Sequence, residues 1–138
     1  MQFINKSILS LALVPAFILF FGLSSASAQH GYRVTKQATF KKGQVATTVK
    51  GTIPNTLEGH EYIFRGRAGQ TLLVNLLSTK KNISFFITTP SGETLGDETG
   101  LRNWTGELPE TGEYHLFINT DSKGAAPYSC KIQIASDI

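Results

Sequence analysis

Hydrophobic and polar residues alternate along most of the chain after residue 40. In VATTVKGTI (45–53), Val45, Thr47, Val49 and Ile53 share the inner face, and Lys50 lies on the opposite face. In YSCKIQIA (128–135), one face carries Tyr128, Cys130, Ile132 and Ile134. A repeat of two residues is the period of a β-strand with one buried face. The pattern therefore predicts strands, and no segment after residue 28 shows a convincing helical period.

Two segments, QTLLVNLLS (70–78) and NISFFITT (82–89), are more continuously apolar, as in central strands that are covered on both sides or curved into a sandwich. Turn signals separate the strands at 53–55, 68–69, 79–82, 90–93, 99–100, 109–112 and 123–124. Short strands at a spacing of roughly ten residues are typical of an all-β sandwich. We predict one all-β domain, an antiparallel, jelly-roll-like β-sandwich of about seven to eight strands.

The N-terminal segment has the pattern of a secretory signal peptide. Lys6 precedes an apolar stretch over 8–23, and small residues follow at Ala26-Ser27-Ala28. We expect cleavage before Gln29 and no membrane anchor afterwards, so that the mature chain is periplasmic or secreted. The predicted organisation is a signal peptide at 1–28, a flexible N-terminal lead at 29–39 and the sandwich domain at 40–138.

The segment Leu108–Gly112 spells LPETG, the L-P-x-T-G pentapeptide that sortases cleave. A sorting signal also needs an apolar stretch of roughly 20 residues and a basic tail after the pentapeptide. Neither follows here, because Glu113 comes at once and charged residues continue to the end. The alternative is structural: Pro109 and Gly112 shape a turn that begins a strand at Tyr114.

The charge and the cysteine content of the chain argue against some classes of function. Without Lys6 the mature chain has 12 Lys and Arg against 10 Asp and Glu, a weak positive bias that argues against a nucleic-acid partner. The single cysteine, Cys130, excludes an intramolecular disulfide. Its place in the alternation favours a buried, inert thiol over a reactive one.

The sequence predicts no catalytic, cofactor-binding or metal-binding residues. His30, His60 and His115 belong to no recognisable catalytic or zinc motif. The acids Asp97, Glu98 and Asp121 could in principle collect around Ca²⁺, but they lack the spacing of a calcium loop and are typical of solvated loops. We therefore expect a noncatalytic protein.

Two segments are candidates for recognition. Trp104 lies close to Arg102 in GLRNWTGEL, and an aromatic ring beside a cation can stack on a sugar or enter a protein pocket. The alternative for Trp104 is a cap on the sandwich core. The second candidate is NTDSKGAAP (119–127), which is long for a hairpin and either projects toward a partner or is a flexible solvated loop.

Several segments resemble two related families in the same order along residues 40–135. The segments are FKKG (40–43), VKGTI (49–53), EYIFRGRAGQTLLVNL (61–76), ITTPSGETL (87–95), WTGELPETGEYHLFI (104–118) and PYSCKIQI (127–134). They are similar to bacterial pre-peptidase C-terminal-like β-sandwich domains and to the periplasmic inhibitors of g-type lysozyme, which share that architecture. The resemblance supports the reading of LPETG as a corner of the sandwich.

The resemblance gives the candidate residues possible roles. Inhibitors of this kind block the lysozyme cleft with a protruding loop, so the resemblance implies that Lys123 supplies the charge and Ser122 a hydrogen bond, with Arg102 contributing. The loop departs from that pattern in having one cation and one anion, Asp121. The alternative function is an accessory module that binds cell-surface polysaccharide or assists export, in which Trp104 is the residue to test.

Overall fold

The computed structural model describes residues 31–97 and 99–136, and the predicted signal peptide at 1–28 lies outside them. These residues form nine strands: β1 (Tyr32–Gln37), β2 (Ala46–Ile53), β3 (Glu58–Gly66), β4 (Thr71–Leu77), β5 (Ile83–Thr88), β6 (Thr94–Leu95), β7 (Asn103–Glu107), β8 (Gly112–Thr120) and β9 (Ala126–Ala135). The same residues contain no helix that is long and apolar enough to cross a membrane.

The strands form two sheets, which confirms the predicted all-β sandwich. The five-stranded sheet has the order β1-β3-β8-β5-β6, and the four-stranded sheet has the order β2-β9-β4-β7. All neighbours are antiparallel except β1 and β3, which run parallel. The described chain has more strands than the seven or eight predicted, because β1 and the two-residue β6 carry little alternating pattern.

The inner faces of the two sheets form one hydrophobic core. The five-stranded sheet contributes Tyr62, Phe64, Phe85, Ile87, Tyr114, Leu116 and Ile118, and the four-stranded sheet contributes Leu72, Val74, Leu76, Tyr128, Cys130 and Ile132. These side chains come from alternate positions, as a strand with one buried face requires. Val45 differs from its predicted inner position, because it precedes the first residue of β2 and is exposed.

The N-terminal lead also differs from the sequence-based expectation. Within the expected lead at 29–39, β1 pairs with β3 in register from Tyr32 opposite Glu58 to Gln37 opposite Ile63. The sandwich therefore begins before residue 40. The sequence pattern gave no sign of this strand because nearly all its side chains are exposed at the sheet edge, so no hydrophobic alternation marks it.

The LPETG segment is a corner between β7 and β8. Leu108 is fully buried, and its backbone N–H donates to the Gln70 carbonyl. The hydroxyl of Tyr114 donates to the Glu110 carbonyl at 2.6 Å, and Gly112 has a φ of 150°, which residues with a Cβ rarely adopt. The pentapeptide therefore has a structural role in joining two core strands, as the alternative interpretation predicted.

Candidate functional site

One end of the sandwich collects the segments that carry the predicted partner-binding residues. At this end, which we call the loop end, the connections 54–57, 78–82 and 121–125 meet, and strands β1 and β7 begin. The opposite end carries the β1–β2 connection and the LPETG corner. The topology thus brings Arg102, Ser122 and Lys123 to the same end of the molecule.

The connection between β8 and β9 is shorter and better anchored than the predicted loop at 119–127. Residues 119–120 belong to β8 and residues 126–127 to β9, which leaves a connection of 121–125. It is not a hairpin, because β8 and β9 lie in different sheets and the chain crosses between them. The backbone N–H of Ser122 donates to the Thr120 hydroxyl at 3.0 Å, and Ala126 is fully buried. Lys123 is therefore an exposed residue on a short span held at both ends.

A second connection, at 78–82, is bonded to this span and adds two cations. The carbonyl of Asn82 accepts hydrogen bonds from the Asp121 N–H at 2.8 Å and from the Thr120 hydroxyl at 3.0 Å. Lys80 and Lys81 directly precede Asn82 and are exposed. Sequence reasoning recognised this segment only as a turn, because about forty residues separate it from Lys123. The two bonded connections together carry three lysines against one anion, Asp121.

Arg102 supports the connection at 78–82. Its guanidinium donates to the carbonyl of Lys80 at 3.1 Å and approaches the carbonyls of Ser78 and Ile83 at 3.4 Å. Because a guanidinium has several donors in a fixed plane, one side chain can hold three backbone carbonyls. The geometry indicates that Arg102 positions the loop that carries Lys80 and Lys81.

Trp104 lies on β7 opposite Val74, on the inner face of its sheet. It packs against the hydrophobic core and remains partly exposed. A Cβ at Gly106 would meet the indole at 2.6 Å and one at Gly96 would meet it at 2.8 Å, so both glycines leave room for the ring. Most of the indole surface is therefore engaged inside the fold, in agreement with the core-cap alternative.

A buried polar cluster lies beneath the loop end and joins the two sheets. The Tyr128 hydroxyl on β9 lies 2.6 Å from Nδ1 of His60 and 2.6 Å from the Tyr62 hydroxyl, both on β3. Nε2 of His60 lies 2.7 Å from the Glu58 carboxylate. Gly51 makes space for the cluster, because a Cβ there would meet the Tyr128 hydroxyl at 2.7 Å. Sequence analysis missed this cluster, since Tyr128 lies 66 and 68 residues from its partners Tyr62 and His60 on β3.

The charge states within the cluster follow from its contacts. Hydrogen bonds from Tyr32 and then His60 hold the pKa of Glu58 below its ordinary value. Burial raises the pKa of the Tyr128 hydroxyl far above its ordinary value, and the neighbouring Tyr62 hydroxyl raises it further. Glu58 is thus a carboxylate and Tyr128 a neutral hydroxyl near neutral pH. The cluster fixes β9 at Tyr128, three residues after the end of the β8–β9 connection at Ala125.

Two clefts flank the β8–β9 connection. One, of about 470 Å³, is lined by the starts of β1 and β3, the turn at 56–57, and Asn119. The other, of about 390 Å³, is lined by the end of β4, Arg102 and residues 127–129. Asn119 precedes the connection and Pro127 follows it, so the connection lies between the two clefts.

Among residues 31–97 and 99–136, no group of three or more His, Cys, Asp and Glu side chains is arranged to hold a metal ion. Asp97 accepts hydrogen bonds from the backbone and hydroxyl of Thr99, and Glu98 lies outside the described residues. Cys130 is fully buried, and burial raises the pKa of its thiol to about 12. The thiol is therefore protonated at neutral pH and inert.

Comparison with solved structures identifies proteins of the same fold, whereas no family model and no curated protein sequence matches the chain. The PliG protein of Aeromonas hydrophila, a periplasmic inhibitor of g-type lysozyme, matches with a TM-score of 0.65 and 24% identity over 74% of this chain and 96% of its own. PliG of Salmonella Typhimurium matches with a TM-score of 0.59 and 23% identity, over 73% and 97%.

A pre-peptidase C-terminal domain is also similar. The domain from the Bacillus anthracis collagenase matches with a TM-score of 0.52 and 12% identity, over 75% of this chain and 95% of its own. The two families that the sequence resembles are therefore both among the structural neighbours. At these identities the comparisons establish the shared sandwich fold.

Proposed function

We propose that this chain is an exported, noncatalytic inhibitor of a g-type lysozyme, and that the β8–β9 connection enters the substrate cleft of the enzyme. The observation that carries the proposal is the position of Lys123, exposed on a short connection that is anchored at both ends and bonded to the segment with Lys80 and Lys81. The fold shared with two PliG proteins supports the same conclusion.

The proposed mechanism is occlusion of the cleft. Enzymes that hydrolyse glycosidic bonds use carboxyl groups beside the scissile bond, inside a cleft shaped for the sugar chain. The Lys123 ammonium pairs with such a carboxylate, where exclusion of water strengthens the attraction. Ser122 donates a hydrogen bond beside it, and Arg102 contributes by holding the neighbouring connection. Because the span is anchored at both ends, binding costs less conformational entropy than ordering a free loop would.

A charge reversal at Lys123 tests the proposal. Lys123→Glu should raise the inhibition constant for a g-type lysozyme by at least tenfold, roughly the smallest effect expected when one member of a close interfacial charge pair is reversed. Lys42→Glu is the matched control, because Lys42 is an exposed lysine in the connection at the opposite end. The Lys123 effect should shrink as salt increases, since partly exposed charges are screened.

The outcomes separate the two candidate functions. A folded Lys123→Glu variant that inhibits as well as the wild type removes the β8–β9 connection from the mechanism. A wild-type protein that does not inhibit g-type lysozyme contradicts the proposal and favours the accessory module, which the collagenase domain supports at the level of fold. Binding of the wild type to soluble peptidoglycan fragments, lost in Trp104→Ala, then tests that alternative.

A further inference from the structure

The exposed large hydrophobic side chains are concentrated at the loop end. Within residues 31–97 and 99–136 they are Tyr32, Leu57, Leu77 and Val45, exposed by 56%, 56%, 60% and 54%. Tyr32 begins β1, Leu57 lies in the β2–β3 turn and Leu77 ends β4, all at the loop end. Val45 lies at the opposite end. Scattered exposed hydrophobics are normal, but a group around one exposed connection indicates an interaction surface.

Tyr32 and Leu57 lie together on one side of the β8–β9 connection. The backbone N–H of Tyr32 donates to the Leu57 carbonyl at 2.8 Å, and both residues line the same cleft as Asn119. Asn119 is the second-last residue of β8 before the connection, and its amide oxygen would touch a Cβ placed on Gly59. We call Tyr32 and Leu57 the first apolar flank.

Leu77 lies on the other side of the connection. It pairs with Ser129 of β9, and the hydroxyl of the next residue, Ser78, donates to the Pro127 carbonyl at 2.6 Å. Leu77, Pro127 and Arg102 line the second cleft, whose lining is mainly apolar. We call Leu77 and Pro127 the second apolar flank.

We propose that the two apolar flanks are part of the interface with the lysozyme, an inference that rests on the proposed function. The flanks pack against the rims of the lysozyme cleft while Lys123 enters it. The cations Lys80, Lys81 and Lys123 complement an acidic cleft, and apolar groups beside a charged contact exclude water from it. The charge then provides selectivity for an acidic cleft, and the flanks supply affinity through apolar burial. The partner that binds this surface is a protein with an acidic cleft between apolar rims.

The test places a charge on each flank separately. Leu57→Asp and Leu77→Asp should each raise the inhibition constant for a g-type lysozyme about fivefold or more, the scale of a significant interface residue. Val45→Asp should leave it unchanged, because Val45 is equally exposed but lies at the opposite end. Leu77→Ser serves as a second variant that introduces no charge, and circular dichroism and thermal melting confirm that each variant is folded.

Salt dependence distinguishes apolar packing from charge attraction. The loss in Leu77→Ser should be equal at low and high salt, whereas the loss in Lys123→Glu should decrease as salt rises. A wild type that inhibits, with leucine variants that inhibit equally well, overturns the inference and leaves the proposed function in place. An effect at only one flank overturns the two-sided arrangement. A wild type that fails to bind the lysozyme contradicts the proposed function, and this inference with it.

Discussion

At the scale of single residues, the Tyr128 hydroxyl connects the core to the candidate site. It is buried between the sheets, where an unsatisfied hydroxyl would be costly, and it has partners in both His60 and Tyr62. Those partners lie in the opposite sheet, so the contacts tie the start of β9 to β3. The space for the hydroxyl exists only because residue 51 is glycine. The base of the β8–β9 connection is thereby held in place by contacts within the fold.

Leu116 tests the packing of the core at the same scale. It is fully buried on β8 between Tyr114 and Ile118 along the inner face. Leu116→Ala should lower the free energy of unfolding by about 2 to 5 kcal/mol, because it removes buried methyl groups and leaves a cavity. Urea denaturation measures the change, with Leu77→Ala as an exposed control. An unchanged midpoint in Leu116→Ala would contradict the assigned phase of β8.

At the scale of elements, Glu61 joins three strands on the outer face of the five-stranded sheet. Its carboxylate on β3 accepts from the Thr35 hydroxyl on β1 at 2.8 Å and lies 2.6 Å from Nδ1 of His115 on β8. Burial acts to raise the pKa of Glu61, but the hydrogen bonds from His115 and Thr35 outweigh it and hold the pKa below the ordinary 4.5. The edge strand β1 is thus secured by a side chain as well as by backbone pairing.

The lowered pKa of Glu61 predicts how stability depends on pH. A carboxyl group with a lower pKa in the folded state stabilises the fold above its unfolded pKa, and the gain is lost as pH falls through the folded pKa. Stability should therefore decrease as pH falls below 4.5, the unfolded value. Glu61→Gln should reduce this decrease, whereas Glu107→Gln, at an exposed position on β7, should not.

Urea unfolding at pH 3, 4, 5 and 7 measures the free energy of unfolding of the wild type and of both variants. The other carboxyl groups are the same in the proteins compared, so their contribution cancels. If the free energy of unfolding depends on pH equally in the wild type and in Glu61→Gln, the contacts with Thr35 and His115 do not favour the carboxylate. The comparison uses the slopes below pH 5, the range in which carboxyl groups titrate.

At the scale of the whole molecule, export remains a prediction from residues outside the described structure. The small residues Ala26-Ser27-Ala28 predict cleavage before Gln29, which would release a chain that begins shortly before β1. Mass spectrometry of the exported protein should find Gln29 at the N-terminus, either free or cyclised to pyroglutamate. A membrane-bound product that retains Met1 would contradict the assignment.

The sequence by itself determined the local structure wherever strands have one buried face. The alternation in β9 identified Cys130 and Ile132 as core residues, and both are fully buried. The turn residues of LPETG identified a corner, which the Tyr114 hydrogen bonds complete. These predictions succeeded because burial of alternate side chains and the backbone preferences of Pro and Gly act within a few residues. The edge strand β1 was missed for the same reason, since it buries almost no side chain.

The tertiary structure alone decided which distant residues meet. It placed β8 and β9 in different sheets, which turned a predicted hairpin loop into a short crossing held at both ends. It bonded Asn82 to the start of that crossing, and so brought Lys80 and Lys81 to the end that carries Lys123. It also joined His60 to Tyr128 across 68 residues. Such contacts depend on strand order and register, which arise from the packing of the whole core and leave no periodic signal in any one segment.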